Sequence, residues 1–298
     1  MNISVTGAGG LVGRHVVRCL KAGGHQVVGL VRNSGSSDEG PQMIGDLLDD
    51  HALTRLVREA DAVVHCAALL SGGDEDLWLT NVIGAKKLVS AALDRQIVHI
   101  SSISVYAPSR QPSIAEDSPL VTGSRGYAAS KREAERVLPP HAVIIRPAYI
   151  YGPGDRSFGP HLSRFLESRL AFSVGSGENR MPLVHAETVA LAVRLSLEKG
   201  CRGPFNVCDD GVLTQTRFLE LACQSYGRPV PRALPRVFVR LLLKIGAFGQ
   251  DLSFAASFLG SRARFSSDRA RQELGLVSPV SYEQGLSQVF QRAVGGPR

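Results

Sequence analysis

The stretch TGAGGLVG at residues 6–13 most narrows what this chain can fold into. It follows a short β-branched run, ISVT at 3–6, and leads into LVGRHVVRCLKAGG at 11–24, whose apolar residues recur at helical spacing before the run stops on glycine. Between a strand and a helix the three glycines have separate duties. Gly7 permits the tight turn, Gly10 lets a backbone approach a pyrophosphate, and Gly13 lets the helix pack close to the strand. An anion placed there would meet the free N–H groups and the positive end of the helix. The spacing alone is weak evidence, because a plain glycine-rich turn also produces it. Its place at the first strand–helix junction is what points to dinucleotide binding.

The rest of the first half repeats that alternation. HQVVGLVR (25–32), DAVVHCAA (61–68), IVHISS (97–102) and HAVIIRP (141–147) read as buried strands. HALTRLVREA (51–60), a stretch within 75–95 that carries Asn81, and a segment from about Arg125 to Leu138 read as helices, the last stopped by Pro139 and Pro140. Alternation of this kind requires βαβ crossovers, so the expected class is α/β: a Rossmann-type doubly wound parallel sheet over residues 1–150. After Tyr151 the texture changes to YGPGDRSFGP, helical segments, a strand signal at GPFNVCDD (203–210) and an apolar, Pro-punctuated region from 228 to 260. Residues 151–298 are therefore expected to form mainly a smaller, mixed, partly helical substrate-binding cap, with a return of the chain to the sheet left open.

The end of the second strand bears on which dinucleotide is bound. An acid there holds a ribose 2′-OH, whereas Arg accommodates a 2′-phosphate. GLVRN offers Val31 and Arg32 and no carboxylate, and the nearest acids, Asp38 and Glu39, lie in a Ser/Gly-rich loop. NADP is expected over NAD, which stays possible; a surface Arg with no ligand is the plain alternative. The net charge of +7 suits an anionic ligand or simply a solvated surface, and no block of like charges suggests nucleic acid. The five cysteines, Cys19, Cys66, Cys201, Cys208 and Cys223, are odd in number and lack C-x-x-C spacing, so neither a disulfide framework nor a metal site is expected. A reduced, cytoplasmic setting is the default. No signal-peptide pattern opens the chain and no apolar run is long enough to span a membrane.

Further motifs follow in order: GDLLD (45–49), VVHCAA (63–68), TNVIGAKKLV (80–89), SSISVYA (101–107), YAASK (127–131) and RPAYIYGPGD (146–155). Together with the glycine loop they resemble the extended short-chain dehydrogenase/reductases, in the branch called NAD-dependent epimerase/dehydratase, over nearly the whole chain. The resemblance implies Ser102, Tyr127 and Lys131 as catalytic residues. It implies cofactor contacts from Gly7, Gly10, Leu11, Val12, Gly13 and Arg32, from Asp46 (to adenine) and Leu47, and from Cys66, Ala67, Ala68 and Asn81. Ser101, Tyr127, Lys131 and Pro147 complete that set. Leu69, Ser102, Ser104, Tyr127, Tyr149, Arg180 and Arg262 are the implied substrate contacts. Homodimers built from two helices of each subunit are usual in the family, and the segments 75–95 and 125–138 are the candidates.

Chemistry accounts for the residue types. Hydride transfer at a carbonyl carbon needs a matched proton transfer at its oxygen. A tyrosine hydroxyl, with an ordinary pKa of about 10, is a poor base near neutrality. Lys131 lies one helical turn beyond Tyr127, and its ammonium, beside a positive nicotinamide, is expected to favour the phenolate and lower that pKa. Lys131 would also hydrogen-bond the nicotinamide ribose, and Ser102 would hold the substrate oxygen against Tyr127. Ser102 is preferred to Ser101 because it directly precedes ISVY, the family's register. A Tyr and a Lys four apart occur by chance in many helices, and only the accompanying motifs lift this pair above that level. Tyr106 is expected to be a packed aromatic, and His65, His99 and His185 buried structural imidazoles. Tyr149 and Tyr151 are as consistent with core packing as with ligand contact.

Three reactions share this apparatus: ketone reduction, epimerisation and dehydration. The family's dehydratases carry TDE where this chain has SSI, and its epimerases typically keep an Asp after the second strand that is missing here. GSGENRMPLVHAETVALAV (175–193) resembles the family's stretch leading into a V-H-V-x-D-x-A helix, with Arg180 displaced by one position. The expected activity is NADPH-dependent reduction of a nucleotide-linked keto-sugar, with Arg180, Arg262 and Arg264 clamping the diphosphate. The alternatives are a nucleotide-sugar epimerase with retained NAD and a reductase or dehydrogenase of an apolar ketone such as a sterol, terpenoid or polyketide. A dinucleotide-sensing regulator is disfavoured by the retained Tyr and Lys. PRVFVRLLLKIGAFG (235–249) fits a nucleotide-sugar enzyme least. It is expected to be the cap's core helix, the alternatives being a lid over a greasy substrate and a helix at a membrane surface.

Overall fold

The computed structural model describes residues 1–33, 35, 39–108, 113–156, 158–168, 170–245, 250–261 and 263–295. The chain divides into two units: residues 1–148, 186–208 and 265–277 form the first, and 149–185, 209–264 and 278–298 the second.

The first unit is built on seven strands. Their order across the sheet is Gly203–Val207, Val143–Pro147, Gln96–Ile100, Ala62–His65, Asn2–Thr6, Gln26–Val31 and Gln42–Ile44. Every neighbouring pair is parallel. A parallel sheet covered on both faces needs apolar residues on both sides of each strand, and Ala62, Val63, Val64, Ile97 and Val98 are accordingly all fully buried. The helix Leu11–Ala22 packs against Ala186–Glu198, and Asp50–Val57 packs against Gly84–Ala92. Asp49 caps one of these helices, its carboxylate accepting from the N–H groups of His51 (2.9 Å) and Ala52 (3.1 Å). The chain builds outward from Asn2–Thr6 to one edge, then restarts beside it at Ala62–His65 and builds to the other. That reversal opens a crevice at the carboxyl ends of the two central strands, where α/β sheets bind ligands.

One possibility left open by the sequence is resolved here, one expectation is corrected and one strand is added. GPFNVCDD, counted with the cap, supplies the edge strand of the large sheet, and Ala186–Glu198 also belongs to the first unit. Strand pairing across long sequence gaps leaves no local mark, which is why the return is invisible in composition. The helix expected within 75–95 is broken into Asp74–Trp78, a π-helical turn Leu79–Ile83 and Gly84–Ala92. The short strand Gln42–Ile44 had no recognisable pattern of its own.

The second unit carries the helices Phe158–Glu167, Gln215–Ser225, Arg236–Lys244, Gln250–Gly260 and Tyr282–Gly295. Two small parallel pairs join Tyr149–Tyr151 to Leu183–His185 and Ser173–Val174 to Ala233–Leu234. Its core is aromatic. Phe258 meets Phe158, Phe218 and Tyr149 edge-on, with ring centroids 5.1, 5.5 and 5.1 Å away. Buried Asp209 organises one end, accepting from the Tyr151 hydroxyl (3.0 Å) and the His185 N–H (2.8 Å). Arg236–Lys244 is not the core helix expected of it: Val239 is its one fully buried residue, because a nine-residue helix lying on a surface buries only one edge. Among the described residues no helix is long and apolar enough to cross a membrane.

Candidate functional site

The glycine loop shows which of its glycines packing demands. Gly7 has φ +67°, and a Cβ there would lie 2.6 Å from the Ala67 backbone. A Cβ on Gly13 would lie 2.1 Å from the Gly7 carbonyl oxygen. At Gly10 the nearest atom is that same oxygen, at 3.3 Å, so here the constraint comes from whatever approaches from outside. Gly10 is also the N-cap of Leu11–Ala22, with no side chain capping it and no acid in the first turn. The first-turn N–H groups are thus left for an anion. Leu11 and Val12 are half-buried on that turn, and Cys66, Ala67, Ala68 and Leu69 are half-buried beyond the strand Ala62–His65. These residues fit a dinucleotide pyrophosphate.

Asn81, buried in the π turn, ties this crevice to the next element. Its Oδ1 accepts from the Leu69 N–H (2.8 Å), and its Nδ2 donates to the Leu69 carbonyl (2.9 Å) and to Ser130 Oγ (2.9 Å). Ser130 in turn donates to the Tyr127 carbonyl at 2.8 Å. One side chain therefore fixes the loop after a central strand against the helix Gly126–Arg136 that carries Tyr127 and Lys131. A π turn places a side chain where a regular helix would not, and such turns recur at functional sites. Ser130 was missed in the sequence reading, although it lies inside YAASK.

Ser102, Tyr127 and Lys131 are brought together. Ser102 sits in extended backbone and caps the turn Ile103–Val105, its Oγ accepting from the Ser104 N–H at 3.1 Å. The Tyr127 hydroxyl lies near the Ser102 side chain. The Ser104 hydroxyl is buried and has no partner among the described residues. Lys131 is almost wholly buried; its Nζ donates to the Ile100 carbonyl at 2.6 Å and lies 3.4 Å from His99 Nε2. Burial lowers its pKa to about 8, against the opposing pull of Glu135 and Cys66.

The depression of the Tyr127 pKa is expected with a nicotinamide bound beside Lys131; in the chain alone burial acts the other way. Burial pushes the phenol up to about 12, and only the nearby Ser102 hydroxyl opposes it. The lysine is instead held by the Ile100 carbonyl. Beneath it, burial brings His65 down to about 3 and His99 well below its ordinary range, Lys131 adding to both, so both imidazoles are neutral near pH 7. Their rings lie 5.0 Å apart, and His65 Nδ1 is 2.7 Å from Thr6 Oγ1. Neutral His99 accepts from the ammonium without repelling it.

The hydroxyl of Ser101, one of the implied cofactor contacts, is engaged within the chain itself. It donates to Glu135 Oε1 at 2.5 Å, within a buried network. Arg146 pairs with Glu135 at 2.7 and 3.0 Å and donates to the Tyr106 hydroxyl at 2.8 Å, which donates to Asn206 Oδ1 at 2.6 Å. Tyr106 is thus packed and hydrogen-bonded below the site. This network fixes the base of the Gly126–Arg136 helix against the sheet.

The remaining candidates lie as follows. Arg32 is exposed just beyond Gln26–Val31, Asp46 accepts from the Leu48 N–H at 2.9 Å in a local turn, and Leu47 is buried against Gly84. Pro147 is buried at the end of its strand. In the second unit Tyr149 is exposed beside Phe258, Arg180 is exposed in an isolated bridge with Thr214, and Arg264 is exposed. Arg262 lies outside the described residues.

The family profile described as "NAD dependent epimerase/dehydratase family" matches residues 3–208. The 4-hydroxy-2-methyl-3-oxo-4-farnesyl-3,4-dihydroquinoline-1-oxide ketoreductase of Stigmatella aurantiaca is 29% identical over 99% of this chain and 98% of its own length. A 2-alkyl-3-oxoalkanoate reductase of Stenotrophomonas maltophilia is 29% identical, covering 96% of this chain and 97% of its own. Among solved structures, UDP-glucose 4-epimerase from Bifidobacterium longum in complex with NAD+ and UDP has the same fold, with TM-score 0.75 and 16% identity over 99% of both chains. The chain belongs to the NAD dependent epimerase/dehydratase family, as an NAD(P)-dependent oxidoreductase or epimerase of the extended short-chain dehydrogenase/reductase type.

Proposed function

We propose that this enzyme reduces the keto group of an apolar, alkyl- or prenyl-bearing substrate, using NADPH. The observation that carries net reduction is that two relatives matching nearly the whole chain are both named as reductases of keto compounds, with Tyr127 placed to give the proton. A phenol pushed up to about 12 holds its proton at neutral pH, the state required to donate to a carbonyl oxygen. Ser102, near that hydroxyl, would hold the substrate oxygen beside it. Lys131, one turn away, would stabilise the phenolate left behind. The nicotinamide supplies the hydride when bound. Gly7, Gly10 and Gly13 would hold its pyrophosphate, Asp46 its adenine, and Arg32, exposed just beyond the second strand, a 2′-phosphate.

Support for the apolar substrate comes from the two full-length relatives, whose names specify a farnesyl-bearing and an alkyl-bearing keto compound. The nucleotide-linked keto-sugar is the second reading, favoured by exposed Arg180 and Arg264 in the second unit. The reading includes a homodimer formed through the helical segments 74–92 and 126–136, of which the first exposes Trp78 and Leu79. Reduced-nicotinamide absorbance, followed with NADPH and NADH against 2-alkyl-3-oxoacids, prenylated ketones and UDP-linked 4-keto-sugars, tests it. Stoichiometric NADPH oxidation with the apolar ketones is expected. Turnover of the UDP-sugars alone would move the assignment to the second reading, and conversion without NADPH loss would make the enzyme an epimerase.

A further inference from the structure

The helix Arg236–Lys244 presents its greasy side to water. Val237, Phe238, Leu241 and Ile245, just past its end, are 79, 47, 53 and 66% exposed. These positions follow one another at i, i+1, i+4 and i+8, so they form a continuous stripe on one face. The opposite edge anchors the helix: Val239 is 2% exposed, and Leu243 packs against the second unit's own core. Arg240 and Lys244, four residues apart and both exposed, border the stripe, and neither enters an ion pair among the described residues. The helix contains no acid.

We propose that this face docks on an anionic lipid bilayer surface. An apolar stripe bordered by cations is the pattern of a helix lying in the membrane interface, with hydrocarbon side chains below the headgroups and Lys and Arg reaching out to phosphate. The chain's net charge of +7 adds a general attraction to such a surface. A second copy of the chain suits the face poorly. An antiparallel two-fold contact centred on the stripe would bring Arg240 and Lys244 of each copy beside the same cations of the other, and a parallel one would leave them without an acid on the partner helix. Docking here is separate from the reductase assignment, because it is read without turnover.

Flotation of the full chain with phosphatidylcholine vesicles, with and without phosphatidylglycerol, tests the proposal. Wild type is expected to float with the anionic vesicles and to be released by salt. Replacing both cations (Arg240→Gln, Lys244→Gln) should weaken partitioning about fivefold for each. Phe238→Ser with Leu241→Ser should abolish it, while both double variants keep the wild-type Tm and dinucleotide binding, since all four side chains are exposed. Absence of flotation with anionic vesicles overturns the proposal, as does undiminished flotation of the Phe238→Ser, Leu241→Ser variant. A dimer, seen by light scattering, that this variant splits while vesicles recover no protein would overturn it too, giving the face to a second copy.

Discussion

The two units fill their interiors with different residues. The first buries Val5, Ala62, Val63, Val64, Ile97, Val98, Val143 and Ile145 completely, all of them small or branched. The second buries Tyr151, Phe165, Phe218, Phe258 and Phe290 completely. A parallel sheet covered on both faces repeats one environment along every strand, so mostly short, branched residues serve along its central strands, with Phe205 the large residue of the edge strand. The second unit has only two two-stranded pairs, and large rings meeting edge-on fill the irregular space between its helices. Chemistry is therefore tied to repeating positions in the first unit. In the second, the residues that would select a substrate occupy positions with no repeat to mark them.

The largest effect expected from this contrast is that of Tyr127→Phe. It should cut turnover by roughly 10²- to 10⁴-fold while dinucleotide affinity, measured by fluorescence titration, stays near wild type. Near-normal turnover in this variant would remove the proton-transfer role and with it the claim that the first unit holds the chemistry. Next in size is Phe258→Ala, which takes away the ring shared by Phe158, Phe218 and Tyr149. Denaturant unfolding should show a loss of about 3–5 kcal/mol, with dinucleotide binding retained under native conditions. Binding lost in proportion to stability would break the comparison, because the two units would then fold as one cooperative body.

The smallest expected change concerns Lys131. Its native pKa is lowered to about 8 from an ordinary 10.5, so between those values the unfolded chain binds a proton that the native chain has shed. Wild-type stability relative to Lys131→Met should therefore rise with pH from about 8 to about 10.5 and level off above. Unfolding curves at a series of pH values read this directly. A pH-independent difference between the two proteins would mean the ammonium is not desolvated.

Much of the first unit was legible because its demands are local. Gly7 needs a positive φ, Gly13 a missing Cβ, and Tyr127 and Lys131 one helical turn; each leaves its mark within a few residues. Ser102 and Asn81 could be placed through the order of the surrounding motifs. The commitment of the Ser101 hydroxyl to Glu135, 34 residues away, had no such mark. The bond from Lys131 to the Ile100 carbonyl crosses 31 residues and is equally silent in the sequence.

By itself, then, the sequence determined the strand–helix alternation and the glycine loop between the first strand and helix, because backbone conformation and side-chain period are set by near neighbours. Only the tertiary structure decided that Gly203–Val207 completes the large sheet, that the Lys131 ammonium is held by the Ile100 carbonyl, and that Arg236–Lys244 faces water. Each of those outcomes depends on burial and on partners distant in sequence. Spacing along the chain does not encode which distant surfaces meet, and that is what sets pairing, desolvation and exposure.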